Sequence, residues 1–351
     1  MKDLLIYQKA AVQDCEQRIQ ENSSAYEQAF DVRVQRYLDQ LAALEKRCLL
    51  PGADRERILD EVTLLNDSML EACAEYERAS GADATALAAA KKSFRERTHA
   101  MLSKSYFISH ARTWPRGYQG DYQMLEGVYR DMPLARGIGY YLDRYSLSTT
   151  LASAVRERRA ALRGILRDEM ARRHFPRVLD IACGSCREVF ELAPEIGQSG
   201  ATFTCVDFDS EALSFASNRI AHAGIDPDRV RFRQYNALRM ISHQRNLSEF
   251  GMQDVIYSVG FFDYLQDDIL IRLLKSLYEL LVPGGLLITS FKDRRRYGSS
   301  YYHWMVEWDG FLQRTEEESR AILAKAGIPD DAVASFRDES QVIIFYNAVK
   351  R

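Results

Sequence analysis

The 351-residue sequence predicts an α/β chain: a doubly wound sheet of seven strands with the last pair antiparallel, preceded by an all-α N-terminal domain. Three observations predict it. Only Gly52, Gly81 and Pro51 among the 19 glycines and 8 prolines fall before residue 111, so the first third is nearly free of helix breakers. After residue 176, apolar strand-like runs alternate with helical patterns, which requires a parallel sheet covered on both faces. The last two runs, VASFRD and QVIIFYNAV, are joined too closely for a parallel crossover and should pair antiparallel.

In chain order, Leu38, Leu41, Leu44 and Cys48 form one apolar stripe at helical spacing, and Ile58, Val62, Leu65, Met69, Ala72 and Tyr76 form a second. Pro51-Gly52 separates them as a helical hairpin, and a third helix is expected from about Ala84 to Ser105. The stripes fit either a homodimer through the N-terminal helices or an intrachain bundle; heptad spacing is not sustained, which favours the bundle. From Ser109 the composition turns rich in Tyr, Trp, Gly and Arg, the mark of a junction. A basic amphipathic helix, LASAVRERRAALRGILRDEMARRHF, runs up to Pro176, with Arg156, Arg158 and Arg159 read as a solvated face, or one of these arginines as the partner of a cofactor's carboxylate. RVLDIA, ATFTCVDF, VRFRQYNA, QDVIYSVG and GLLITSF follow as strands, with helices starting near Cys186, Ser210 and Asp268. The expected domains are 1–108 (helical), 109–175 (substrate and cofactor lid with connecting helix) and 176–351 (sheet).

Composition narrows the function. A formal net charge of -3, from 47 Lys plus Arg against 50 Asp plus Glu, gives no global attraction to nucleic acid. The N-terminal run MKDLLIYQKAAVQDCEQ is broken by Asp3, Lys9 and Asp14 before a signal-peptide core forms, and no 18-residue apolar run occurs, so a cytoplasmic protein without a membrane span is expected. The six cysteines (Cys15, Cys48, Cys73, Cys183, Cys186, Cys205) are too sparse for a disulfide scaffold and show no zinc spacing, so no metal is expected.

The chemistry concentrates in VLDIACGSCREVFELAP. An apolar strand ends in Asp180, a turn of small residues follows (Ala182, Gly184, Cys186), and a helix opens; Asp207 comes 23 residues after Gly184, closing the second strand. Small residues let a ligand approach the backbone at the strand ends, and an acid there bonds ribose hydroxyls, so a nucleoside-containing cofactor is implied. One glycine in place of three disfavours a dinucleotide. Cys183-Gly-Ser-Cys186 also has the spacing of a thiol redox pair, an alternative to small-residue filler.

Here the sequence resembles the class I S-adenosylmethionine-dependent methyltransferases, from about Val178 to the C-terminus. Their first motif corresponds to Asp180, Ala182, Cys183, Gly184 and Cys186, with the first and last glycines replaced. The resemblance implies S-adenosyl-L-methionine as cofactor on a Rossmann-like sheet. It places Gly184 beneath the methionine moiety, Asp207 on the ribose hydroxyls, Phe208 on the adenine face and Asn236-Ala237 at the adenine edge. Ser258-Val259-Gly260 then faces the transferred methyl, and the turn Val282 to Gly285 precedes the fifth strand.

The segment SVGFF lacks the prolines of base-amine methyltransferases, which with the net charge leaves a small-molecule acceptor. WPRGYQGDYQMLEGVY, AVRERR and SVGFFDYLQDD further resemble bacterial methyltransferases that make 3-hydroxy fatty acid methyl esters as quorum signals. That implies a carboxylate nucleophile, already ionised at neutral pH, held by a cation or hydroxyl beside an apolar wall. Candidate substrate residues are Arg116, Tyr118, Asp121 and Tyr122, with Tyr302, His303 and Trp304 from an aromatic cluster after the fifth strand that fits equally a helical insertion packed against the N-terminal bundle. Arg116 could also pair with Asp121. Tyr118 and His303 are the catalytic candidates, His303 as base if the acceptor is a hydroxyl or amine. The rival readings are O- or N-methylation of a secondary-metabolite hydroxyl or amine, and a helical assembly protein with a vestigial methyltransferase domain.

Overall fold

The computed structural model describes residues 26–80, 84–308 and 310–351. Asp3, Lys9 and Asp14, on which the expectation of a missing leader rests, and Cys15 of the cysteine count lie outside the described residues. No described helix is long and apolar enough to cross a membrane. Contacts divide the chain into two units, each assembled from separate segments: a helical unit of Met1–Pro115, Met132–Leu147 and Ser299–Trp308, and a sheet unit of Arg116–Asp131, Ser148–Gly298 and Asp309–Arg351.

The helical unit contains α1 (26–48), α2 (Arg55–Ala79), α3 (Ala84–Leu102), α4 (Tyr106–Thr113) and, beyond α5 (Tyr122–Arg130) of the other unit, α6 (Ile138–Ser148). The breaker Pro51-Gly52 ends α1, and Asp54 restarts the chain as α2 by accepting from the Arg57 N–H. Val34, Tyr37, Leu41 and Leu44 of α1 are buried, as are Ile58, Val62, Met69 and Tyr76 of α2 and Phe94 and Leu102 of α3. These stripes face one another within the chain, so their burial is accounted for by an intrachain bundle. A five-residue π-helical turn, Tyr301–Met305, completes this core.

The sheet unit opens with α5 and α7 (Thr150–Arg172), then runs β1 (Arg177–Ile181), α8 (Arg187–Glu191), α9 (Ala193–Ser199), β2 (Thr202–Asp207), α10 (Ser210–His222), β3 (Val230–Gln234), α11 (His243–Phe250) and β4 (Gln253–Val259). It closes with α12 (Asp267–Glu279), β5 (Leu281–Lys292), α13 (Glu316–Lys325), β6 (Val333–Arg337) and β7 (Ile343–Val349). The strand order is β3-β2-β1-β4-β5-β7-β6. β1 to β5 are mutually parallel, and β7 runs antiparallel to both β5 and β6. Leu270, Leu273, Leu274 and Leu277 of α12 pack with Ile256, Leu287 and Tyr346 of the sheet, as amphipathic spacing against a two-faced sheet requires. The order reverses between β1 and β4, and a ligand belongs outside the carboxyl ends of those strands.

Two expectations are corrected. Val282 to Gly285 is not a turn ahead of β5 but an irregularity within it, where Gln253 pairs with Leu281 while Val255 pairs with Leu286. The arginines of α7 are not a solvated face: Arg156 pairs with Asp131 at 3.2 Å, Arg159 with Glu191 at 2.8 Å, and Arg158 is buried. A helix on a sheet buries more of its circumference than its polar pattern advertises, because long arginine stems cover apolar surface.

Candidate active site

β1 carries the chain to Asp180 and Ile181, and the turn that follows alternates left-handed residues: Ala182 at φ 58°, Gly184 at 53° and Cys186 at 46°. The replaced glycines thus leave a glycine-like backbone in place. Left-handed φ costs an ordinary side chain about 1 kcal/mol, and something must hold the turn there. The Cys183 N–H donates to the Val206 carbonyl at 3.1 Å, the Cys186 N–H to the Cys183 carbonyl at 2.9 Å, and the Gly184 N–H to Asp207 Oδ2 at 2.8 Å. A Cβ built on Gly184 would touch only the Tyr122 Cβ, at 4.0 Å, so the turn is open to a ligand there. Ala182 is exposed. Ala182→Gly is expected to raise the unfolding free energy by up to about 1 kcal/mol, the relieved Cβ strain less the greater unfolded-state freedom of glycine, as urea titration would measure.

Asp207 ends β2 with its other oxygen accepting from the Asp209 N–H at 2.9 Å. Burial pushes its pKa up, and the backbone donors Asp209 and Gly184 pull against that. Phe208 next to it is 69% exposed, a free aromatic face at the strand end. Asn236 is exposed after β3, its side chain accepting from the Leu238 N–H at 2.9 Å, and Ala237 is buried behind it. Ser258 is buried in β4 and donates its hydroxyl to the Ile181 carbonyl at 2.8 Å, tying the two switch-point strands together; Val259 is half-buried at the end of β4.

Asp180 is buried beneath the turn with Cys183, Cys186, Glu188 and Tyr257. Tyr257 donates to Glu188 Oε1 at 3.0 Å, and the Cys186 thiol approaches Asp180 Oδ2 at 3.9 Å. The donor atoms of Asp180, Cys183 and Cys186 lie within 4.8 Å of one another, close enough to share a metal ion. Burial raises the pKa of all three, which favours the protonated forms and opposes ligation. The thiols are free, and a raised pKa is the reverse of what a redox-active pair needs.

The segment 116–131 lies over this turn within the sheet unit. Arg116 donates to both oxygens of Asp209, at 2.6 and 3.1 Å, and also pairs with Glu211. Its acidic partner is Asp209, not Asp121. Tyr118 donates its hydroxyl to Asp209 Oδ2 at 2.9 Å, and burial raises its pKa. It therefore stays protonated, with its proton committed to Asp209, and is not placed as a base. Asp209 in turn caps α10; burial opposes its ionisation, but Arg116 and Tyr118 hold its pKa below the usual range. Asp121 is the buried N-cap of α5, accepting from the Gln123 and Met124 N–H groups at 2.9 and 3.2 Å. Tyr122 stacks near Phe215 beside the turn. Buried Glu126 accepts from Ser185 Oγ at 2.7 Å and from Arg219 and Arg187, locking α5 to the turn and to α10.

Tyr302, His303 and Trp304 fall in the helical unit. Trp304 is fully buried among Phe30, Tyr76 and Phe94 and donates its indole N–H to Glu77 at 2.9 Å. Tyr302 is buried, and His303 is half-buried with its carbonyl accepting from Arg95 at 2.9 Å. Sequence reasoning missed Asp209, Glu126, Lys292 and Asp263. Asp209 was findable, since an acid ahead of SEAL is an N-cap signal; the others depend on long-range partners.

Residues 179–287 match the family model of a methyltransferase domain. No curated protein sequence matches the chain. Among solved structures, a possible exported protein from Bordetella parapertussis shares the fold over 92% of this chain and 96% of that chain, with 18% identity and a TM-score of 0.55. A SAM-dependent methyltransferase from Aquifex aeolicus matches over 54% of this chain and 89% of that chain, with 16% identity and a TM-score of 0.39. Magnesium protoporphyrin IX methyltransferase from Synechocystis, solved with bound SAM, matches over 57% and 84%, with 16% identity and a TM-score of 0.42. A methyltransferase-domain match that begins inside β1 and ends inside β5, on a sheet whose turn after β1 keeps a glycine-like backbone without its glycines, identifies residues 179–287 as a methyltransferase domain.

Proposed function

We propose that this methyltransferase esterifies the carboxylate of a small acid with an apolar chain, a 3-hydroxy fatty acid being the first candidate. S-adenosylmethionine bound at the strand ends supplies an electrophilic methyl group on a sulfonium. The chain's own residues fit that cofactor: Gly184 leaves room for it, Asp207 presents a carboxylate for ribose hydroxyls, and the Phe208 ring is open for stacking. In this reading Tyr122 and the 116–131 segment form the cofactor lid, with Glu126 and Asp209 as its anchors. That narrows the lid within 109–175.

One observation carries the acceptor class. At the carboxyl end of β5 the buried Lys292 ammonium pairs with Asp263 and lies 5.0 Å from the Phe311 ring and 5.9 Å from the Tyr264 ring. A cation beside aromatic walls suits an anionic head on an apolar chain. Burial lowers the Lys292 pKa and Asp263 supports its charge. A carboxylate acceptor gains the methyl as its negative charge cancels the sulfonium's, leaving ester and S-adenosylhomocysteine with no proton to move, so no base is required.

Purified protein with S-adenosylmethionine and a chain-length series of 3-hydroxy fatty acids is expected to yield methyl esters and equimolar S-adenosylhomocysteine by mass spectrometry. Methylation of hydroxyl or amine analogues alone, with loss of rate in His303→Ala, would overturn this reading.

A further inference from the structure

Arg158 is 5% exposed in the middle of α7, yet among the described residues it makes no ion pair, whereas Arg156, Arg159 and Arg163 on the same helix pair with Asp131 or Glu191. Its guanidinium lies against Gly260, the residue that follows β4: a Cβ built there would stand 2.8 Å from both Nη atoms. Gly260 also sits at φ 107°, a backbone open to glycine but not to other residues. Two features of the chain thus admit the guanidinium at the carboxyl end of β4, beside the switch point.

Among the described residues no carboxylate is bonded to it. It donates to the Tyr129 hydroxyl, and its charged neighbours are Lys292 and Asp338. Lys292 shares its charge with Asp263, and burial raises the Asp338 pKa while Arg158 lowers it. A desolvated guanidinium is costly unless paired, and its planar fork matches a carboxylate through two parallel hydrogen bonds. Arg116, the cation expected for this task, is occupied by Asp209 and Glu211.

We infer that Arg158 binds the carboxylate of the methyl acceptor at the end of β4. The inference rests on the carboxyl-methylating reading and names the residue that selects an acid. Gly260 is its specificity partner, because any side chain at that position would displace the guanidinium.

The test is calorimetric titration of wild type, Arg158→Met and Arg158→Lys with 3-hydroxydecanoate in the presence of S-adenosylhomocysteine, and with S-adenosylhomocysteine alone. Arg158→Met is expected to weaken the acid by about 100-fold, with partial recovery in Arg158→Lys, since a point charge replaces a bidentate fork. S-adenosylhomocysteine affinity should stay within about threefold, and the ligand-free thermal midpoint of Arg158→Met should fall by no more than the loss of the Tyr129 hydrogen bond accounts for, as in Tyr129→Phe, because no ion pair is removed. A loss of S-adenosylhomocysteine affinity with the acid unaffected would assign the arginine to the cofactor's carboxylate and overturn the inference. A drop in the ligand-free midpoint well beyond that of Tyr129→Phe would assign it to structure and overturn the inference as well. If Arg158→Met does not fold, Gly260→Ala is the second variant, expected to weaken the acid for steric reasons; unchanged acid affinity there overturns the proposal. Wild type that esterifies acids with a KM indifferent to Arg158 sinks this inference alone. Wild type that binds and esterifies no acid sinks the functional reading with it.

Discussion

Asp207→Ala is expected to lower S-adenosylhomocysteine affinity by two orders of magnitude or more, measured by calorimetry on reduced protein. Two losses combine. Oδ2 accepts from Gly184 at 2.8 Å and Oδ1 from Asp209 at 2.9 Å, so alanine releases a turn that holds Ala182 and Cys186 in left-handed conformations. It also removes the carboxylate that we propose binds the ribose hydroxyls, and a hydrogen bond to a charged group contributes about 1.5–3 kcal/mol. The pH dependence has a definite sign. Burial raises the Asp207 pKa, so the ionised form that binds is lost on acidification earlier than for an ordinary carboxylate. Wild-type affinity should therefore begin to fall above the usual carboxylate range. Asp207→Asn should bind weakly at every pH with a flat profile. Wild-type affinity that is flat down to the ordinary range would show that Asp207 does not carry the charge used in binding.

Trp304→Ala is expected to destabilise the helical unit by about 3–5 kcal/mol, the cost of emptying a large buried aromatic site. The ring centroid lies 5.2 Å from Phe30, 5.9 Å from Tyr76 and 5.7 Å from Phe94, and Glu77 would lose its indole donor. Urea unfolding followed by far-ultraviolet circular dichroism, in a chain where helices dominate this unit, should show the transition at lower denaturant. Had Trp304 been a wall of the acceptor site, as its place in an aromatic cluster implied, the variant would raise KM at unchanged stability. That pattern would return the tryptophan to the substrate.

The seven strands, the antiparallel closing pair, the helical hairpin broken at Pro51-Gly52 and the cofactor turn were legible from the sequence because their signals are local: a period, a breaker, a run of small residues. The partners were not legible, because burial and pairing join residues far apart in the chain. Arg116 meets Asp209, 93 residues on, and Glu126 meets Arg219 at the same separation. Neither pair leaves a mark in the residues around it. The cluster 301–304 fitted a substrate wall and a packed helical insertion equally, because aromatic composition is common to binding surfaces and to cores, and only packing distinguishes the two. Arg158 shows the same division most sharply. Its neighbours in sequence mark a basic helix face, while in space its guanidinium lies against Gly260 and makes no ion pair among the described residues. The sequence by itself determined which segments become strands and helices and where the small-residue turn after β1 lies. Only the tertiary structure decided which charges are already paired, because desolvation and pairing are set by distances that the order of residues does not contain.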